Sequence, residues 1–213
     1  DQVRLDIGTQ ISKVYSLKHY QADSAATPLI ETGQFPRKIV TDVVPPMILY
    51  RGYPKTQDIT TDYRLPAGAP VMSYVEPKPT LQWQVKPEKR EILGHSCQRA
   101  EVSFGGRQWI AWFTSEIPLS EGPYKFGGLP GLILEVADSE GDYRYTCIGI
   151  ANLSAGENIV RWKWNQRPTT RKELEKIIVQ LYANPEQAIK ALGGRMGFKG
   201  DPMLNLPYNP IEK

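Results

Sequence analysis

Apolar and polar residues alternate with a period of two at the start of the chain, in Val3-Arg4-Leu5-Asp6-Ile7, and that period marks a strand. It continues toward Ile11 and Val14-Tyr15 with a bend near Gly8. Between residues 23 and 70 the pattern is cut into short pieces by Pro28, Pro36, Pro45, Pro46, Pro54, Pro66 and Pro70. Strands fit between them at residues 38–44, 47–53 and 57–63. From residue 71 the alternation sharpens. Strands are expected at 71–75 and 81–85, then from 90–93 through Gly94 into 96–104, where Ala100, Val102 and Phe104 share one face. Gly105-Gly106 suits a tight hairpin turn. Residues 108–114 are the most apolar strand, with Trp109, Ala111 and Phe113 on one face and Ile110 and Trp112 on the other, a pattern that predicts burial on both sides.

Strands at 132–136 and 143–150 flank an Asp138–Asp142 turn, and Val160-Arg161-Trp162-Lys163-Trp164 alternates again. The period then changes. Thr170 and Glu173 fit a capping box, and Leu174, Ile177, Ile178 and Leu181 follow at helical spacing. Asn184-Pro185 starts a second short helix that ends at Gly193-Gly194. Short strands with turns about every ten residues predict a mainly β fold: a curved antiparallel sheet or partly open barrel, with two short C-terminal helices packed on it. One domain is expected over residues 1–195, its helices within 168–193, and an extended tail over 196–213 that either clamps the body or is loose.

Composition supports this architecture. The 213 residues hold 18 Gly and 18 Pro without a period, which favours many turns over a helical bundle. No run approaches 18 consecutive apolar residues, so no transmembrane helix is expected. The formal net charge of +3 is too small for a phosphate-binding surface, and nucleic acid is not an expected partner. The densest basic stretch (Arg161, Lys163, Arg167, Arg171, Lys172, Lys176) is interrupted by Glu157, Glu173 and Glu175, and reads as a solvated helix face rather than an anion-binding patch. Cys97 and Cys147 leave three readings open: a disulfide, two buried thiols, or metal or redox chemistry. The chain opens on Asp1 rather than Met, the form of a mature or trimmed product, and an oxidising compartment would favour the disulfide.

Catalytic chemistry is thin. The two histidines, His19 and His95, have no plausible nucleophile beside them, and no nucleophile elbow, phosphate loop or HExxH helix is present. His95 and Cys97 are the residue types that hold a soft metal, yet two ligands are too few, so no metal or cofactor is expected. Glu116, Glu135, Asp138 and Asp142 could supply an acid–base pair for a hydrolase, or be ordinary hairpin-turn carboxylates. The reading leans away from an enzyme.

Gly122-Pro123, Gly127-Gly128 and Pro130-Gly131 place three turn-forming pairs within ten residues, and Leu129-Pro130-Gly131-Leu132 fits a type II turn with Gly131 at positive φ. Two roles suit this loop. It can plug one end of a barrel, or it can be a rigid rim for a ligand or protein partner. In the second role the binding residues are Arg107, Trp109, Trp112, Tyr124, Lys125, Phe126, Leu129 and Pro130. Trp83, Trp109, Trp112, Trp162 and Trp164 similarly suit either core packing or the lining of an apolar cavity.

The stretch from Trp109 to Pro118, followed by Gly122 to Leu134 with its hexapeptide Gly128-Leu129-Pro130-Gly131-Leu132-Ile133, resembles the GLPGLI family. Ile92-Leu93-Gly94 with Cys97-Gln98-Arg99-Ala100, Phe104 with Gly106-Arg107, and Ile7-Gly8 through Asp23-Ser24 resemble its other segments, so the likeness spans roughly residues 5–150. Gly105 departs from it, since a larger residue often stands there. The resemblance implies a protein exported to the Gram-negative periplasm or cell envelope after removal of a signal peptide. It implies no activity. The leading expectation is a protein that binds an apolar or peptide-like ligand, or an envelope partner protein, through the 122–132 rim; the alternatives are a hydrolase using carboxylates near the motif and a purely structural or assembly subunit.

Overall fold

The computed structural model describes residues 1–31, 46–65, 70–152, 159–161, 165–193 and 209–213. The expected strand at 38–44 lies outside them, as do Trp162, Trp164 and residues 196–208 of the tail. The chain is mainly β. The fold divides into two compact units, Asp1–Pro77 with Ile159–Tyr208 and Lys78–Asn158 with Asn209–Lys213.

The first unit carries an open six-stranded sheet in the order β1-β2-β3-β4-β5-β11. Strands β1 (Val3–Ile7) and β2 (Ser12–Ser16) pair antiparallel, Val3 opposite Ser16. The feature near Gly8 is therefore a complete reversal rather than a bend, closed by the Gly8 N–H donating to the Ile11 carbonyl at 3.0 Å. β3 (Met47–Arg51), β4 (Asp58–Tyr63) and β5 (Val71–Pro77) continue antiparallel. Of the alternation at 160–164, residues 162–164 lie outside the described residues. Residues 159–161 are not in a strand, and the pairing falls to β11 (Gln166–Pro168), parallel to β5. Arg161 instead reaches Asp62, Nη2 to Oδ1 at 2.6 Å, and the Ser73 hydroxyl at 2.8 Å, so this part of the basic stretch is structural.

Helix α1 (Leu17–Glu31) is unforeseen in the sequence. Pro28 within it argues against a helix, and its apolar spacing is too weak to argue for one. The foreseen helix α2 (Arg171–Ala183) begins at Thr170 with the full capping box: the Thr170 hydroxyl accepts from the Glu173 N–H and the Glu173 carboxylate accepts from the Thr170 N–H. Its buried face of Leu174, Ile178 and Leu181 packs with Ala188 of α3 (Pro185–Ala191) on Tyr63, Leu65, Met72 and Tyr74.

The second unit is an open antiparallel meander, β10-β9-β8-β7-β6. β6 (Gln84–Ile92) turns through Leu93 and Gly94 into β7 (His95–Phe104). β7 turns through Gly105-Gly106 into β8 (Arg107–Thr114), Phe104 opposite Arg107. Both glycines have positive φ, 59° and 73°, as a two-residue hairpin turn of the primed kind requires. β8 then pairs with β9 (Leu132–Asp138), and β9 with the short edge strand β10 (Arg144–Thr146). On β8 only one face is fully buried. Trp109, Ala111 and Phe113 are in the core, while Ile110 and Trp112 are half-buried, because β8 packs closely on one side only.

Candidate binding site

The 122–132 loop joins β8 to β9, and its backbone is pinned at several points. The Phe126 N–H donates to the Pro123 carbonyl at 3.0 Å, the Ile133 N–H to the Glu121 carbonyl at 2.9 Å, and the Gly128 N–H to the Ser120 hydroxyl at 3.1 Å. Gly131 is not the left-handed corner of a type II turn; its φ lies outside that region. Glycine is required there for a different reason. A Cβ would stand 2.0 Å from the Thr114 carbonyl oxygen, so the loop can lie on the end of β8 only without one. The left-handed positions are Gly128, with φ 86°, and Tyr124, with φ 51°. A tyrosine held there stores backbone strain that the surrounding structure must offset, and such strain gathers at binding sites.

Beneath the loop lies an aromatic core. Phe126 is fully buried, with ring centroids 4.6 Å from Trp109, 5.9 Å from Phe104 and 6.1 Å from Tyr124. The Trp109 indole N–H donates to the Phe104 carbonyl at 2.9 Å and the Trp83 indole N–H to the Gly127 carbonyl at 2.8 Å. Both aromatic N–H groups are thus satisfied, and the Trp83 bond ties the loop to the segment just before β6. Trp109, Phe126 and Leu129 are core residues, which favours packing over the lining of a cavity. The depression of about 410 Å³ beside the β7–β8 turn is lined by Phe104, Gly105, Arg107 and Glu140 among others, and not by Trp109.

Three of the expected binding residues, Arg107, Tyr124 and Lys125, converge on a short segment from far along the chain. Arg107 opens β8, its side chain buried against Asp138 (2.6 Å) and Asp142 (2.7 Å), with Glu140 at 3.3 Å. Its other terminal nitrogen donates to Asn209 Oδ1 at 2.7 Å and to the Pro210 carbonyl at 3.0 Å. Lys125, also buried, donates to Glu212 Oε1 at 2.5 Å, and the Tyr124 hydroxyl donates to the same oxygen. The Tyr143 hydroxyl donates to the Asn209 carbonyl, and the Lys213 N–H donates to the Gly105 carbonyl at 2.7 Å. Residues 209–213 therefore clamp this unit, one of the two outcomes open for the tail. Hydrogen bonding from Asn209, then from Arg107, holds the Asp142 carboxyl below its usual range.

The remaining expected residues fall elsewhere. Trp112 is on the opposite face of β8, under the Arg90 guanidinium at 4.2 Å, and Pro130 is exposed. Cys97 and Cys147 are free thiols that donate to the His95 and Gly149 carbonyls. Burial pushes the Cys97 thiol up. His95 Nδ1 lies 2.7 Å from Glu116 Oε2 while the Ser96 N–H donates to Oε1 at 3.0 Å, and these bonds, the histidine's first, hold the Glu116 carboxyl low. Asp138, Glu140 and Asp142 bring carboxylate oxygens within 4.8 Å of one another, but the Arg107 guanidinium already sits among them. Sequence reasoning missed Asn209, Glu212 and Tyr143. The one available signal was the departure at Gly105: a Cβ there would stand 2.7 Å from Glu212 Cγ and 3.0 Å from its Cα.

A family model described as a protein of unknown function (Porph_ging) matches residues 105–135, from the β7–β8 turn through the rim into β9. No curated protein matches the chain. The fold is similar to that of PNGF-II. One solved structure, in the P21 space group, aligns with a TM-score of 0.51 at 12% identity over 84% of this chain and 29% of that one. A second, in the C2 space group, aligns with a TM-score of 0.49 at 12% identity over 84% and 30%. This chain spans 29% of the length of the first, and the likeness is one of fold.

Proposed function

We propose that the second unit is a non-enzymatic binding module that holds an extended, acid-bearing peptide segment of a partner protein through Arg107, Tyr124 and Lys125. One observation carries the reading: the Glu212 carboxylate is buried against the Lys125 ammonium and the Tyr124 hydroxyl, at the end of a loop whose backbone is fixed independently. A buried ammonium facing a carboxylate from a distant segment is a recognition arrangement, since either charge alone in that place is costly. The strained φ of Tyr124 supports it, because packing alone would be served by an unstrained residue.

The resemblance to the GLPGLI family, whose hexapeptide lies inside the matched 105–135 stretch, supports placing the protein in the periplasm or envelope. Cell fractionation that recovers it from the cytoplasm would refute that placement. The binding role is tested by calorimetric titration of the full chain carrying Glu212→Ala against extended peptides with and without acidic residues. Saturable binding of acid-bearing peptides, lost when Lys125→Met is added, is the expected result. No saturable binding by any peptide sinks the proposal.

A further inference from the structure

Four of the five residues of the 209–213 segment, Asn-Pro-Ile-Glu-Lys, are hydrogen-bonded to the rest of the second unit through a side chain or the backbone. Asn209 is engaged twice, its amide oxygen by Arg107 and its carbonyl by Tyr143. Pro210 has no N–H to leave unsatisfied and offers its carbonyl to Arg107. Ile211 is half-buried, and Glu212 carries the buried charge. Lys213 adds a backbone bond to Gly105 and an ion pair with Glu140 at 2.6 Å. The two turn glycines form the floor. A Cβ at Gly105 would collide with Glu212, and one at Gly106 would press on Lys213 Cβ at 3.0 Å. The receptor residues lie 66 to 108 positions away in sequence, so this seating is a long-range closure rather than a local turn.

We infer that the rim is built for the pattern Asn-Pro-x-Glu-Lys, and that residues 209–213 fill it in cis as a strap that a partner segment of the same pattern must displace. This rests on the peptide-binding reading above and adds its sequence class and its regulation. A tethered segment competes at an effective concentration on the order of millimolar. An incoming peptide therefore binds the intact chain with its affinity reduced by the fraction of sites left open.

The test uses a blocked Asn-Pro-Ile-Glu-Lys peptide and two full-length proteins, the intact chain and one weakened in the strap by Asn209→Ala with Glu212→Ala. The weakened chain should bind the peptide at least tenfold more tightly than the intact chain. The same peptide with glutamine for glutamate should bind it at least tenfold more weakly. Equal affinities for the two proteins, or indifference to that glutamine, overturn the inference. Should the weakened chain bind other acid-bearing peptides but not this one, the inference falls and the broader binding role stands; silence toward all peptides removes both. A second measurement avoids variants altogether. In the intact chain, excess peptide should move the Lys213 amide resonance as its bond to Gly105 is released, and a resonance unmoved at tens of millimolar peptide overturns the strap.

Discussion

At the scale of single residues, Glu212 and Lys125 decide most. The side chains are 6% and 2% exposed, so neither charge is well solvated and each depends on the groups around it. Removing one partner of such a pair costs more than the pair itself contributes. Glu212→Ala should therefore destabilise the second unit by about 3 kcal/mol in urea unfolding. The double variant with Lys125→Met should cost less than the sum of the two single changes, because it removes the stranded ammonium too. Strictly additive costs would mean that the two groups do not act on each other. Lys125 is legible in the sequence as a large group on a rigid loop. Glu212 is not, because nothing in an aperiodic, proline-bearing stretch says which distant cation its carboxylate will meet.

Elements differ in how much of themselves they show. Strands β5, β7, β8 and β9 and the α2 capping box read directly from local pattern, since a period of two or a Thr-x-x-Glu spacing is set by near neighbours. The cap also makes a local prediction: Thr170→Ala should lower stability by about 1 kcal/mol in thermal unfolding, with no effect on peptide binding. The rim is legible as a rigid loop from its turn pairs, yet the reason for Gly131 is not, because that reason is the Thr114 carbonyl seventeen positions earlier rather than a local φ. Gly131→Ala should cost about 3 kcal/mol, since the atoms in the way are backbone and cannot swing aside. A loss of only a few tenths would show that the loop end is free to move off β8. Helix α1 goes unread for the opposite reason: its own residues argue weakly, and Pro28 argues against them.

At the scale of the whole molecule, the chain completes one unit only by returning at residue 159 and the other only by returning at 209. Such returns are invisible to any window of local pattern, so the division into two units is not read from the sequence. Two carboxylates, one in each unit, should also answer acid with opposite sign. In the second, Asp142 titrates below its ordinary value of 3.8, so its contribution is present above 3.8 and is lost as pH falls through the lowered value. In the first, burial of Asp23, only partly countered by Arg64, raises its carboxyl above 3.8. Between 3.8 and that raised value the folded state holds more protons than the unfolded, so this contribution grows as pH falls. Urea unfolding of Asp142→Asn and Asp23→Asn from pH 6 to 3 separates the two. The gap between the intact chain and Asp142→Asn should narrow toward pH 3, whereas acidification should shift the intact chain's stability upward relative to Asp23→Asn. Gaps that run in the same direction would show that Arg107 and Asn209 do not hold the Asp142 charge in place.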